Sequence, residues 1–460
     1  MSEPVAGLDA GFLLTETSTM RWHVIGVLIV DPSTATEQFG LASIARLLEL
    51  RLGQIEAFRK TVDGGPLGLW PQWSEAGEVD IADHLHRAEV PDDATMDDIA
   101  NFVARLDEVQ LDRSRPLWEM HVVESMAGGR AAVVAKLHHA LADGVSAVGI
   151  LAALLDLEPL SAGPPAVDLA PAAPPEAPSL VDLPQLVARA GWHAARAGVR
   201  AAHRVVTEGR HSFGFLSARD PWHAPLTARR QVALGSLRFD DMLRAKNSYE
   251  VTFNTMVLAT VTTALREWLH DNDQLPDRSL LATLPVSIRD GESTLSSRNQ
   301  VSAIFVSLPV HIADSAKRIQ MIDDDMSKSK ALHGAAGETT LGDLAAVAPW
   351  PTLGLLWRAA RRAGAARLLP PATNLVLSSV PGPPVPLYLA GAKLTGLHPL
   401  GPLLEGVPLN LTAVSYAGCV DIGIVSCPDV LPDITSMAAH LEPALANILD
   451  TAPLAGQAAE

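Results

Sequence analysis

A proline-rich segment near the middle of the chain limits what the chain can fold into. Eight prolines lie between Pro159 and Pro184, separated mainly by alanine, glycine and a few acids. Such a segment cannot build a hydrophobic core and is typical of a surface linker. The chain has 460 residues, more than one core usually supports. We therefore predict an N-terminal lobe over 1–157, a linker with a basic crossover helix over 158–228, and a C-terminal lobe over 229–460.

Strands and helices are interleaved in both predicted lobes. Apolar runs and alternation predict strands at 22–30, 118–124, 131–137, 231–237, 280–284, 301–309, 374–378, 409–416 and 421–425. Helical spacing predicts helices at 36–58, 96–106, 186–207, 240–247, 254–270 and 432–449, with Thr252 as the N-cap of the helix at 254. This order of elements is typical of an α/β fold with two similar lobes.

The composition is that of a globular protein with a substantial core, since 48% of its residues are hydrophobic and 19% are charged. The formal net charge of −17 argues against a nucleic-acid partner, because phosphate binding requires a large basic surface. Cys419 and Cys427 are the two cysteines, and their spacing fits no zinc motif. We expect them to be reduced and packed as small hydrophobic side chains.

The ends and apolar runs of the chain bear on its location. The first residues lack the basic and apolar regions of a secretory signal, and no run approaches about 18 apolar residues. We therefore expect a cytoplasmic protein. Two amphipathic stretches nevertheless favour peripheral contact with a membrane or lipid inclusion, and the alternative is a solvated face that covers a lobe junction. Their arginines are Arg189, Arg196, Arg200 and Arg204 in the first stretch, and Arg358, Arg361, Arg362 and Arg367 in the second.

The strongest chemical signal is the segment from Lys136 to Gly144, between a predicted strand and an apolar run with helical spacing. It contains the adjacent histidines His138 and His139, followed by Asp143 and Gly144. A neutral imidazole can take a proton from a hydroxyl near pH 7. The alternatives are a structural core histidine and a metal site built from His139 and Asp143. The metal site is disfavoured because the glutamate and second histidine of an HExxH helix are missing.

The chain resembles the bacterial wax ester synthase/acyl-CoA:diacylglycerol acyltransferases along nearly its whole length. Residues 138–144 match the HHxxxDG motif of that family. The other matching elements are 8–13, His23, 111–118 with its Pro-Leu-Trp, 285–289 (PVSIR), 298–302, 379–383, 409–410 and 415–416. Two positions depart from the family pattern: Thr255 stands in place of the aspartate that follows Asn254, and Ser379 stands in place of an asparagine.

The resemblance implies a two-lobed fold like that of chloramphenicol acetyltransferase, with a substrate channel between the lobes. It implies that His139 is the general base for direct transfer from a long-chain acyl-CoA to a diacylglycerol, or to a fatty alcohol, without an acyl-enzyme. His138 would position this base. Acyl-CoA would be a co-substrate, and neither a cofactor nor a metal is expected.

The resemblance also implies roles for four residues around the histidines. Asp143 would be structural, with Arg289 as its ion-pair partner, and Gly144 would leave space for the pantetheine arm. Asn254 would polarise the thioester oxygen, or else serve as a helix cap. For the other elements we prefer structural roles, with core packing for Pro-Leu-Trp and a brace between the lobes for 285–288. His84 and His86 are expected to face solvent.

Two other functions remain open at this stage. One is a condensation-type acyltransferase for another lipid or a carrier-bound substrate, against which the Pro-Leu-Trp and PVSIR elements argue. The other is a non-catalytic protein of lipid surfaces, against which the intact histidine motif argues.

Overall fold

The computed structural model describes residues 3–5, 7–64, 71–141, 150, 153–159, 222, 224–287, 301–335, 359 and 373–453. The proline-rich linker, the predicted helix at 186–207 and the second arginine stretch lie outside the described residues, apart from Pro159 and Ala359. The same holds for Asp143, Gly144 and Arg289.

The first part of the chain contributes seven strands and three helices to the described structure. The strands are β1 (Glu3–Pro4), β2 (His23–Asp31), β3 (Lys60–Asp63), β4 (Gln72–Glu75), β5 (Leu85–Arg87), β6 (Trp118–Met126) and β7 (Arg130–His138). The helices are α1 (Gly7–Thr15), α2 (Leu41–Arg51) and α3 (Met96–Asp107). The predicted helix at 36–58 is thus shorter than expected and is followed by 3-10 turns at Leu52–Gln54 and Glu56–Arg59.

The second part of the chain contributes the remaining described elements. Its strands are β8 (Gln231–Arg238), β9 (Leu280–Ser287), β10 (Val301–Leu308), β11 (Leu375–Pro381), β12 (Tyr388–Leu389), β13 (Ala392–Leu400), β14 (Leu409–Tyr416) and β15 (Cys419–Ser426). Its helices are α4 (Phe239–Ser248), α5 (Phe253–Asp271), α6 (Ser315–Ala335), α7 (Ile434–Ala439) and α8 (Leu441–Asp450). The closing helix predicted at 432–449 is divided, because Pro443 lacks the amide needed to continue α7.

Each lobe is built on a six-stranded sheet. The first sheet has the order β12-β13-β2-β7-β6-β5, and the second has the order β10-β9-β11-β14-β15-β8. In the second sheet β11 runs parallel to both β9 and β14, whereas the other neighbours are antiparallel. The α/β class and the two-lobed architecture expected from the sequence are confirmed.

A segment from the second part of the chain joins the first sheet. Strand β13 pairs antiparallel with β2, from Lys393 opposite Asp31 to Leu400 opposite Ile25. A lobe boundary at residue 229 would assign β13 to the C-terminal lobe, whereas β13 pairs with β2 of the first sheet. The consequence is that the edge of the first sheet beside β2 is completed by the second half of the sequence.

The exchanged strand also packs tightly against the second sheet. A Cβ at Gly423 of β15 would lie 2.0 Å from the carbonyl oxygen of Pro399, so only glycine permits this approach. The pairing of β13 with β2 shifts register between Leu394 and Gly396. Just after this shift, the amide of Leu397 donates to Asp421 of β15 over 2.8 Å, which is a second contact between β13 and the second sheet. Strand β13 therefore joins the two lobes.

Candidate active site

The two histidines of the motif lie where strand β7 ends. His138 is the last residue of β7 and is 1% exposed. Its Nδ1 accepts a hydrogen bond from the amide of Ala140 over 3.0 Å, so the proton of the neutral ring lies on Nε2. His138 thus holds the turn that follows the strand, which fits a positioning role rather than contact with substrate.

His139 is the partly exposed member of the pair. Its amide donates to the carbonyl of Trp22 over 2.6 Å, which anchors its backbone to the residue before β2. The imidazole packs beside two aromatic rings that contact each other, with its centroid 4.5 Å from that of Phe12 and 6.1 Å from that of Trp22. Trp22 is itself fixed by a 3.0 Å hydrogen bond from Nε1 to Thr15 Oγ1. The imidazole of His139 is therefore both accessible and confined.

A buried carboxylate that the sequence analysis did not identify lies behind His138. The side chain of Glu16 is 4% exposed, with Oε1 located 3.6 Å from His138 Nε2 and Oε2 2.6 Å from an Arg113 nitrogen. Burial alone would raise its pKa, but His138 and Arg113 together lower the pKa to about 2. Glu16 is therefore ionised and faces the protonated nitrogen of His138. In the sequence, Glu16 could have been recognised only as a single acidic residue that follows the uncharged run 10–15.

A second acid lies beneath the motif, at the C-terminal end of α3. Asp107 is buried, and it accepts a 2.8 Å hydrogen bond from His23 Nδ1. Its other oxygen lies 3.4 Å from Arg230 Nε. Burial opposes ionisation, yet His23 and the nearby arginines hold the pKa of Asp107 below its usual value. Burial also lowers the pKa of His23, which favours the neutral ring.

The end of α3 is stabilised by a fully buried lysine. Lys136 Nζ donates to the carbonyls of Leu106 and Val109 over 2.9 and 2.6 Å, and to Glu119 over 2.9 Å. Burial lowers the pKa of Lys136, and the Glu119 carboxylate opposes that shift. Lys136 lies two residues before His138 on the same face of β7, so this capping fixes α3 against the strand that ends in the motif.

The second-half candidate Asn254 lies exposed in the first turn of α5. The N-cap is Thr252, as predicted, because its side chain accepts from the amide of Thr255 over 3.1 Å. The alternative of Asn254 as a cap is therefore wrong. Thr255, at the family's aspartate position, is buried, and its hydroxyl donates to Asp323 on α6 over 2.8 Å. At the start of α5 the carboxylate is therefore that of Asp323 on α6, and not one at position 255.

The C-terminal motifs converge at one edge of the second sheet. Strands β9, β11 and β14 are mutually parallel, with Thr283 opposite Val376 and Val380 opposite Val414. The elements at 285–287, 379–383 and 415–416 therefore lie at the ends of three adjacent strands, on the same side of the sheet. Val414 belongs to the hydrophobic cluster of the first lobe that contains Leu137. This edge consequently faces the lobe that carries the histidines.

Two expectations about the first lobe have clear outcomes. Trp118 of the Pro-Leu-Trp element is a core residue, as predicted: it is 1% exposed and its Nε1 donates to the carbonyl of Phe58 over 3.0 Å. The expectation that His84 faces solvent is wrong. His84 is 3% exposed, stacks on Trp118 at 4.3 Å and donates to its carbonyl over 2.8 Å. A hydrophobic environment formed by distant residues buries it.

In the part of the chain that the structure describes, no group of three His, Cys, Asp or Glu side chains is arranged to hold a metal ion. No helix among these same residues is long and apolar enough to cross a membrane. Cys419 and Cys427 are both free thiols, and Cys427 is buried.

Comparisons with known proteins agree with this geometry. Residues 5–257 match the wax ester synthase/diacylglycerol acyltransferase catalytic domain, and residues 298–449 match the WS/DGAT C-terminal domain. A Mycobacterium tuberculosis protein named "Probable diacylglycerol O-acyltransferase" is 32% identical, with 96% of this chain and 97% of that protein covered.

Solved structures support the same assignment. The wax ester synthase/diacylglycerol acyltransferase of Marinobacter aquaeolei VT8 superposes with a TM-score of 0.72 at 26% identity, covering 98% of this chain and all of that one. The first condensation domain of the calcium-dependent antibiotic synthetase shares the fold, with a TM-score of 0.59 at 17% identity over 100% and 99% of the two chains. With both family domains matched in order and the histidine pair at a strand end, the chain belongs to the wax ester synthase/diacylglycerol acyltransferase family and is an acyltransferase.

Proposed function

We propose that this protein transfers a long-chain acyl group from acyl-CoA to the hydroxyl of a diacylglycerol, and that it also accepts fatty alcohols. The products are triacylglycerol and wax ester. The observation that carries the proposal is the match of both family domains, over 5–257 and 298–449. The mycobacterial relative is named for the diacylglycerol reaction, and the Marinobacter structure is named for both reactions.

In the proposed mechanism His139 acts as the general base. It removes the proton of the acceptor hydroxyl as that oxygen attacks the thioester carbonyl, and the coenzyme A thiolate then leaves. A positioned base of this kind contributes roughly 10²- to 10⁴-fold to the rate. The partial exposure of His139 beside Phe12 and Trp22 supports this role, and the burial of His138 supports a positioning role.

The remaining site residues have proposed supporting roles. Asp143 and Arg289 form a structural ion pair, Gly144 leaves room for the pantetheine arm, and Asn254 polarises the thioester oxygen. The exposure of Asn254 at the start of α5 is compatible with contact with substrate. Because a thiolate is a good leaving group, the reaction requires no metal or cofactor.

The lipid acceptor implies contact with a lipid surface, so we propose peripheral association of a cytoplasmic protein with membranes or lipid inclusions. The arginines at 189–204 and 358–367 would supply attraction to anionic lipid, at about 1 kcal/mol for each residue near the surface. Flotation with anionic liposomes should then weaken with salt and with neutralisation of Arg196, Arg200 and Arg204. Equal binding to neutral and anionic vesicles would contradict the electrostatic contribution.

The direct test of the proposed activity uses the purified protein with palmitoyl-CoA and dioleoylglycerol. We expect release of free thiol together with triacylglycerol, and loss of nearly all transfer in His139→Ala with acyl-CoA binding retained. More than about a tenth of the wild-type kcat in this variant would contradict the role of His139. Thiol release without triacylglycerol or wax ester would favour a condensation-type acceptor, and absence of turnover would favour a non-catalytic protein.

A further inference from the structure

Two buried histidines are neighbours across the strands that carry the motif. His23 begins β2 and His138 ends β7, and the two residues are opposite each other in the antiparallel register. Because the amide of His139 bonds to Trp22, the His23–His138 pair is of the non-hydrogen-bonded type, in which side chains approach most closely. Both residues are almost fully buried, with 2% and 1% exposure.

The hydrogen bonds of these two rings require opposite tautomers. The carboxylate of Asp107 accepts from His23 Nδ1 over 2.8 Å, so His23 presents an unprotonated Nε2. His138 accepts the Ala140 amide at Nδ1, so its Nε2 carries the proton. Neither Nε2 atom has a hydrogen-bond partner within the described residues, and Glu16 is 3.6 Å from His138 Nε2. The Nε2 of His23 is thus an acceptor, whereas the Nε2 of His138 is a donor that faces the Glu16 carboxylate.

We infer that His23 is a positioning residue for acyl transfer, which holds the imidazole of His138 and thereby the turn that presents His139. The series runs from Asp107 by a hydrogen bond to His23, from His23 to His138 by the cross-strand pairing of β2 and β7, and from His138 Nδ1 to the amide of Ala140. The inference rests on the proposed role of His139 as the base. His23 itself has no contact with substrate in this assignment.

The same contacts connect the site to the junction of the lobes. Arg230, immediately before β8, lies 3.4 Å from Asp107, and its amide donates to Glu108 over 2.8 Å. Thr227, three residues earlier, donates to Asp429 of the second lobe over 2.5 Å. The segment 227–230 is therefore held by both lobes. A change in their relative position would alter the contact of Arg230 with Asp107 and, through it, His23.

The test compares two replacements of His23 with a matched control. His23→Ala removes both nitrogens, whereas the amide of His23→Asn can still donate to Asp107 but lacks the imidazole ring opposite His138. The control is His84→Asn, since His84 is also buried in the first lobe and also donates from Nδ1 over 2.8 Å. Its partner is the Trp118 carbonyl, which belongs to a different strand, β6.

We expect His23→Ala to lower both the melting temperature and kcat, the latter by about tenfold or more, with the KM for palmitoyl-CoA within about twofold of wild type. His23→Asn should recover most of the melting temperature but not kcat. His84→Asn should lower the melting temperature with kcat retained. Recovery of kcat together with stability in His23→Asn, or equal kcat losses in the His23 and His84 variants, would overturn the inference.

A measurement independent of turnover separates this inference from the proposed function. Long-range ¹H–¹⁵N spectra of histidine-labelled protein report the tautomer of each ring. We expect the Nδ1–H form for His23 and the Nε2–H form for His138, with the His138 signals shifted in His23→Asn and unchanged in His84→Asn. A protonated Nε2 on His23 would refute the positioning role even in an active enzyme. Absence of acyl transfer with these tautomers intact would count against the proposed function instead.

Discussion

The buried carboxylate of Glu16 provides a quantitative test of the site. Its pKa falls from 4.5 to about 2 in the folded protein, because the interactions with His138 and Arg113 outweigh the cost of burial. One pKa unit corresponds to about 1.4 kcal/mol. The ionised form is therefore stabilised by roughly 3 kcal/mol relative to the unfolded chain. Since glutamine resembles the protonated acid, Glu16→Gln should lose about this amount at pH 7.

The pH dependence of this loss follows from the direction of the shift. A carboxylate with a lowered pKa stabilises the fold fully above its unfolded pKa, and this contribution disappears as the pH falls toward the folded pKa. The difference between wild type and Glu16→Gln should therefore decrease from about 3 kcal/mol at pH 7 to about 1 kcal/mol at pH 3. Urea unfolding at pH 7, 5 and 3, followed by tryptophan fluorescence, measures this difference.

An exposed glutamate serves as the control for Glu16. Glu75→Gln removes a carboxylate whose side chain is 55% exposed and lies 3.6 Å from Arg59, and it should change stability by less than about 0.5 kcal/mol, because exposed ion pairs contribute little. If Glu16→Gln costs no more than this control at pH 7, or costs the same at pH 7 and pH 3, Glu16 is not the ionised partner that the geometry indicates.

Three further substitutions test the lobe packing and the second lobe. Gly423→Ala should prevent β13 from docking and strongly lower the melting temperature, whereas Gly53→Ala, which meets nothing within 4 Å, should be neutral. Lys136→Met should cost about 3–5 kcal/mol in urea unfolding, because it leaves the Glu119 carboxylate of β6 without its lysine and the carbonyls of Leu106 and Val109 at the end of α3 without a donor. Thr255→Asp should lower the melting temperature by placing a carboxylate beside Asp323, and the double variant with Asp323→Thr should recover it; simple additivity would argue against their contact.

Much of the fold is predictable because its central strands are continuous apolar runs. Strands β7 and β14 were expected at 131–137 and 409–416, and both occur there because each is buried in the middle of a sheet. Strand β13 was not predicted, since Gly396, His398 and Pro399 interrupt its apolar pattern. Its stability comes from pairing with β2, which is more than 360 residues away in the sequence, and no local pattern reports such a partner.

In the site, too, the features set by a local sequence pattern were predicted, and those set by residues distant in the sequence were not. The histidine motif is a local pattern, and the sequence places it at the end of a strand, as observed. Glu16 directly follows α1 and Asp107 ends α3, so their roles depend on how these helices pack on the sheet. His23 acquires its partner from the register of β2 and β7. The tautomer of each ring is set by these contacts, which spacing alone does not predict.

The buried charges around the end of α3 are better explained by geometry than by stability. Arg21 and Arg230 are 2% and 5% exposed, and apolar residues at such positions often give an equally stable or more stable protein. Their hydrogen bonds, however, are directional: Arg21 donates to the carbonyl of Ala228 over 2.7 Å, and Arg230 donates to that of Thr19. Both bonds fix the arrangement of the segment before β2 against the segment before β8. This arrangement also positions Asp107 against His23, so the charges that are costly to bury define the geometry of the histidine motif.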